Sequence, residues 1–416
     1  MSHRTLAWLT PCWGATRRSS FRGWICCARP SPHPRREPTV TVWRSDAFRL
    51  HWPYGDDGDD VDDLGAVHAE HPGRLRAVEQ ALRSSSLRLE WREARAISTE
   101  EMARVPAILE VMEQEQEQDE QPGDDLLEHT LRSAALVHYT DYLWDLYKLV
   151  HQRHAGRLDA DTYLCPQSFR VALMAVGAVL DAIAAVRQPQ HGSKLAFVAC
   201  RPPGHHATRA SGMGFCLLSN VAIGALQALR AAGPTAGDGG SGKHVERVGI
   251  LDFDVHQGNG TENAVRGEPR VRFASLHEWP LYPMTGDDPQ EHGPKRNLAN
   301  FPLPAGTGWK NGYAEAYARA LDHLWHGVNG EGAPGVDLLL VSAGYDALAS
   351  DPLAHLELRA EDYAEMARLL VKRFGPEVPV VFCLEGGYDV NAIGEAVVAT
   401  LSGALEARTA QVKLQV

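Results

Sequence analysis

The stretch VGILDFDVHQGNG, residues 248–260, runs a continuous apolar segment straight into two carboxylates and an imidazole. In an extended strand successive side chains point to opposite faces, so positions two apart share a face. Asp252, Asp254 and His256 therefore project together from the end of the strand. Charged groups gathered and partly desolvated are costly unless they are paired or bind a metal. A solvated loop with incidental charges is the plain alternative, and three alternating polar groups abutting VGIL argue against it.

Three other runs share this design: KLAFVAC (194–200), VDLLLVSA (336–343) and PVVFCLE (379–385). Continuous Val- and Leu-rich runs suit parallel strands buried on both faces. Helical patterns lie between them, in FRVALMAVGAVLDAIAAV, CLLSNVAIGALQALRAA and YAEMARLLVKRF. This alternation predicts an α/β fold, a single domain with a central, mainly parallel β-sheet covered by helices on both faces. A first strand is expected within TVTVWRSDAFRLH (39–51) and a helix within RLRAVEQALRSSSL (74–87). DDGDDVDD (56–63) reads as an acidic loop and GPTAGDGGSGK (233–243) as a flexible one, while EQEQEQDEQPGDD (113–125) reads as the end of a solvated helix or an insertion.

In such sheets the ligand site lies beyond the carboxyl ends of the strands. The segments leaving the four runs are RPPGHHATRASGMGF, DVHQGNGT, GYDALASDP and GGYDVNA. If the strands are neighbours, His205, His206, Asp252, Asp254, His256, Asp346 and Tyr388 converge on one rim. Asp254, His256 and Asp346 would offer two hard oxygens and an imidazole, and catalytic zinc keeps three protein ligands and an open position. The adjacent His205 and His206 suit either ligation or proton transfer, since imidazole titrates near neutrality. Tyr388, after two glycines, can donate a phenol hydrogen to an oxyanion. Together these parts describe metal-assisted hydrolysis of an amide.

The bulk numbers bound the class. The chain has 416 residues, 44% hydrophobic and 23% charged, as expected of a globular protein. No uninterrupted apolar run approaches the roughly 18–20 residues a membrane-spanning helix needs, so no membrane association is expected. Net charge is −12, and residues 1–40 hold seven Arg and one acid, so the remainder carries −18. An acidic body argues against direct nucleic-acid binding and suits cationic substrates such as basic protein tails or polyamines. The seven Cys include no CxxC pair, and Cys165, Cys200, Cys216 and Cys383 read as isolated, buried, reduced thiols. Residues 1–39, rich in Arg and Ser, have the composition of a transit peptide to a chloroplast or mitochondrion. A disordered basic leader on a cytoplasmic or nuclear protein is the alternative. Residues 40–416 form the expected catalytic domain.

From about residue 40 to 408 the chain resembles the zinc-dependent histone deacetylase family, in its arginase-deacetylase fold and close to class II and bacterial members. The resemblance is carried, in family order, by HAEHPGRL, ALVHYTDYL, DTYLCPQSF, RPPGHHA, GMGFCLLSNVAI, LDFDVHQGNGTENA, SLHEWPLYP, SAGYDALASDPLAHL and LEGGYD. It implies one zinc on Asp254, His256 and Asp346, a catalytic pair at His205 and His206, and Tyr388 as transition-state donor. By the same carry-over Asp252 supports His205, and Asn259 stands behind His206 as in class II members. Gly214, Phe215, Tyr282 and Leu353 match the acyl-lysine tunnel. A structural potassium ion is implied near Asp252, Asp254, His256, Ser275 and Leu276. Gly258 stands where binuclear arginases carry a second carboxylate, which favours one metal. Met284 replaces a common Gly and bears on the rim, while His277, His68 and His71 are candidates for supporting the site or its entry. Leu353 occupies the place of a Glu that selects polyamines in one subgroup, so N-acetyl-lysine in a protein is the expected substrate. Acetylpolyamines or acetylated arylalkylamines are the alternative, and a catalytically inactive acyl-lysine reader is disfavoured because ligands and Tyr388 are all kept.

Overall fold

The computed structural model describes residues 38–52, 68–114, 125–152, 156–188, 194–230, 244–327 and 335–414. The basic leader, the DDGDDVDD and GPTAGDGGSGK loops, most of the Glu/Gln-rich segment, and His154 and His191 lie outside the described residues.

The strands are β1 (Val40–Arg44), β2 (Leu89–Glu93), β3 (Gly156–Arg157), β4 (Tyr163–Leu164), β5 (Leu195–Val198), β6 (Val248–Asp252), β7 (Val271–Glu278), β8 (Leu298–Leu303), β9 (Leu338–Ala343) and β10 (Val380–Leu384). Eight of them form one sheet in the order β2-β1-β5-β10-β9-β6-β7-β8, and every pairing in it is parallel. The four runs singled out by sequence are β5, β10, β9 and β6, which are consecutive in the sheet and buried along their whole length. Their continuous Val/Leu/Ile character follows from helices covering both faces. Edge strand β2, by contrast, is largely exposed and carries Glu90 and Arg92, charges that discourage pairing with another chain.

Helices Ser168–Val186 and Asn220–Arg230 pack on each other, the first on β1, β5 and β10 and the second on β6 and β9. Tyr313–His326 packs on β6, β7 and β8 and against Ala360–Phe374, which in turn lies along Ile393–Leu414. Ser168–Val186 is long and apolar enough to cross a membrane, which amends the expectation drawn from uninterrupted runs alone. It is a core helix here: Phe169, Val171, Leu173, Val176 and Ile183 are among its buried side chains.

Two boundaries differ from expectation. The first strand stops at Arg44, because Ser45 accepts the Ala47 amide at 3.3 Å and caps a short 3-10 turn, Asp46–Leu50. The helix expected from Cys216 starts at Asn220, after a turn in which the Ser219 amide donates to His138 Nε2 at 2.9 Å.

Candidate active site

All four central strands point their carboxyl ends at one rim. Register places Asp252 of β6 beside Ser342 of β9 and Ser275 of β7, so each exit loop starts at the same level. The β6 exit delivers Asp254 and His256, the β9 exit Asp346, the β10 exit Tyr388, and the β5 exit His205 and His206.

Asp254, His256 and Asp346 are buried, and their ligand atoms all lie within 4.8 Å of one another. His256 Nδ1 stands 3.1 Å from Asp254 Oδ1 and 3.1 Å from Asp346 Oδ2. Each carboxylate is oriented by a backbone amide: Gly386 N–H donates to Asp254 Oδ2 and Val255 N–H to Asp346 Oδ1, both at 2.8 Å. Burial opposes charge on His256, yet hydrogen bonds to Asp254 and Asp346 raise it to about 10. The same field favours a cation at this point. The residues fit a metal in a second way, because a Cβ on Gly386 would fall 2.0 Å from Asp346 Oδ2 and 2.6 Å from Asp254 Oδ2. Two carboxylates and one imidazole are a donor set zinc accepts.

The neighbouring histidines are driven apart electrostatically. Burial disfavours charge on His205, but the Asp254 and Asp252 carboxylates outweigh it and hold the ring well above its ordinary value. Asp252 Oδ2 is 3.1 Å from His205 Nδ1. His206 is pushed well below its ordinary value by burial, then by His205 and His256. Its Nδ1 lies 2.7 Å from Asn259 Oδ1, which leaves Nε2 as the acceptor of the neutral ring. A neutral base beside a charged imidazole is an arrangement suited to acid-base work.

A cavity of about 410 Å³ opens beside these groups, lined by His206, His256, Tyr388, Phe215, Tyr282 and Leu353, with Gly214, His68, Ala69, Asp161 and Leu281 completing it. Phe215 meets the Tyr388 ring edge-on at 5.7 Å and Tyr282 meets His206 at 5.1 Å. Burial pushes the Tyr388 phenol well above its ordinary value, so it remains a proton donor at neutral pH.

Every sequence-predicted catalytic, ligand and tunnel residue thus belongs to one locality. Ser275 and Leu276 are buried on β7 beside Asp252. His68 lines the cavity, whereas His71 does not: its Nδ1 accepts the Gly73 amide at 3.1 Å and starts a helix. His277 is a packing residue, 3.0 Å from both Ser275 Oγ and the Gly286 carbonyl. Met284 is 63% exposed and does not line the cavity, so its length does not narrow the tunnel.

Sequence reasoning missed a buried network behind the site. Glu70 joins two fully buried guanidiniums, Arg74 (Nη1 to Oε1, 3.1 Å) and Arg201 (Nη2 to Oε2, 2.6 Å). Arg74 also donates to the Glu385 and Gly387 carbonyls and lies 4.8 Å from the Tyr388 ring centre. Glu385 accepts the Gly204 amide at 2.6 Å and the His205 amide at 3.2 Å, tying the β10 exit to the β5 exit. The signal was in HAEHPGRL, where Glu70 and Arg74 are four residues apart.

A histone deacetylase domain model matches residues 68–404. The chain belongs to the histone deacetylase family. It is 33% identical over 317 residues to histone deacetylase 14, chloroplastic, of Arabidopsis thaliana, covering 71% of this chain and 70% of that one. It is 36% identical over 227 residues to acetylpolyamine amidohydrolase 1 of Pseudomonas aeruginosa, covering 53% and 59% respectively. Among solved structures, the HDA15 HD domain superposes with a TM-score of 0.65 at 25% identity, covering 89% of this chain and 90% of that one. The fold is that of the arginase-deacetylase proteins, and family membership makes the chain a hydrolase of acetylated substrates.

Proposed function

We propose that the protein is a zinc-dependent deacetylase that hydrolyses the amide of N-acetyl-lysine in proteins, releasing acetate. The observation that carries this is the convergence of the Asp254–His256–Asp346 cluster, neutral His206 and the Tyr388 phenol on one cavity. Zinc held by those three side chains would supply Lewis-acid polarisation of the amide carbonyl and a more acidic water. Phe215, Tyr282 and Leu353 would hold an aliphatic arm and keep bulk water from it. His206 Nε2 would take the proton from the attacking water. The Tyr388 hydroxyl would donate to the oxygen that gains charge in the tetrahedral state. One of the two histidines then protonates the leaving amine, and His205, held charged by Asp252 and Asp254, balances the site during the transfer. Ser275, Leu276 and the main chain at Asp252, Asp254 and His256 are the proposed cradle of a structural potassium ion. Asn259 behind His206 supports the class II reading. The Arabidopsis relative is chloroplastic by name, which together with the Arg-rich leader supports an organellar address.

A second reading has its own observation. Among the described residues lining the cavity, Asp161 is the one carboxylate, and it would suit a small cationic amine such as an acetylpolyamine. Against this, Leu353 presents an apolar wall. The test is kcat/KM across acetyl-lysine peptides, acetylpolyamines and acetylated arylalkylamines: the proposal expects the peptides to lead, and a lead for either small amine replaces it.

A further inference from the structure

Tyr388 follows Gly386 and Gly387, and Gly387 has a φ of +113°. Two glycines fix a backbone direction poorly, since they lose more freedom on ordering than any other residue. Something outside the loop must place the phenol. Tyr388 lines the cavity, and among the described residues its hydroxyl has no hydrogen-bond partner. The clamp is on its main chain.

Asp351, 7% exposed, is in the same β9 exit loop as Asp346. Its Oδ2 accepts the Tyr388 amide at 2.7 Å, and its Oδ1 accepts the Leu353 amide at 2.9 Å. Among the described residues it makes no ion pair. Burial and then the Asp346 carboxylate push the Asp351 carboxyl up to about 7, and the two bonds from main-chain donors oppose that rise and fix its orientation. Those two donors belong to two residues that line the cavity from different strand exits. Arg74, on the other side, holds the Glu385 and Gly387 carbonyls.

We infer that Asp351 is a positioning residue for the proposed reaction: by holding the amides of Tyr388 and Leu353, it sets where the phenol stands relative to Asp346. This rests on the assignment of Tyr388 as oxyanion donor. One loop then supplies both a metal ligand and the clamp on the donor.

The test is a double-mutant cycle in the full chain with zinc, using Asp351→Asn, Tyr388→Phe and the pair. Asp351→Asn keeps the shape but turns one acceptor into a donor. A displacement on the order of 1 Å costs about 100-fold in rate, so kcat should fall about 10- to 100-fold while KM stays within about 3-fold. In the Tyr388→Phe background the same change should cost little, because the group it positions is gone. Zinc stoichiometry and the unfolding midpoint, read in parallel, should stay near wild type. If Asp351→Asn does not fold, Asp351→Glu enters the same cycle, since it keeps the charge and shifts the oxygens. Additive losses, or full kcat in Asp351→Asn or Asp351→Glu, overturn the inference. Full kcat in Tyr388→Phe instead overturns the donor assignment beneath it.

Discussion

Replacing Gly386 by Ala adds one methyl group at the point where the metal cluster is closest to the backbone. Its Cβ would lie 2.0 Å from Asp346 Oδ2 and 2.6 Å from Asp254 Oδ2. Non-bonded contacts of that kind need at least about 3 Å, so the contact with Asp346 must open by about 1 Å, five times the roughly 0.2 Å tolerance of a metal-ligand distance. Neither carboxylate can retreat freely, because Asp346 Oδ1 holds the Val255 amide and Asp254 Oδ2 holds the amide of Gly386 itself. Loss of outer support around a metal typically weakens binding 10- to 100-fold, and direct displacement of a ligand should reach at least about 100-fold. The assay is zinc affinity by competition with a chromophoric chelator, with Gly267→Ala as control, since a Cβ there meets nothing within 4 Å. Gly386→Ala that binds zinc as tightly as wild type would refute the assignment of this cluster as the metal site.

Other outcomes follow from the same geometry. Glu70→Gln leaves two buried guanidiniums without their anion and should destabilise the fold by about 3–5 kcal/mol in urea unfolding; an unchanged midpoint would contradict the network. Burial opposes the Glu70 charge, but Arg201 and Arg74 hold its carboxyl well below its ordinary value. A depressed folded-state value means the contribution is complete above the unfolded value of 4.5 and lost as pH falls below it. Wild type should therefore lose stability more steeply than Glu70→Gln on that acid limb, and parallel curves would argue against it. Leu353→Glu should shift kcat/KM toward acetylpolyamines over acetyl-lysine peptides by roughly 10-fold or more, read by paired substrate competition. Removing metal with a chelator should lower the thermal midpoint and restoring zinc should return it, because ligands that bind only the folded state stabilise it.

The parallel sheet was legible because β5, β6, β9 and β10 are buried on both faces and so read as unbroken apolar runs. β7 was not, because VRFASLHE interleaves Arg272, Ser275 and His277, each paired inside the fold: Arg272 donates to the Leu324 and Trp325 carbonyls. Nor was β8, where Pro302 argues against a strand and is tolerated at this sheet edge. In the site, residues that carry the chemistry stand next to glycines and in alternation, and that pattern survives in the sequence. Asp351, Glu385 and Glu70 each reach a partner on another strand exit: the Tyr388 amide, the Gly204 amide and the Arg201 guanidinium. Asp351–Tyr388, Glu70–Arg201 and Glu385–Gly204 are 37, 131 and 181 positions apart and leave no local spacing to read, so Glu70–Arg74, four apart, is the network's local trace.

We propose metal-assisted amide hydrolysis in this cavity, with Tyr388 as donor. The most direct measurement is acetate release from an acetyl-lysine peptide by the full chain, stripped of metal and then titrated with zinc, for wild type and Tyr388→Phe. Release should rise to saturation at one zinc per chain and fall by orders of magnitude in Tyr388→Phe. Release that ignores zinc, or survives intact in Tyr388→Phe, would contradict the proposal.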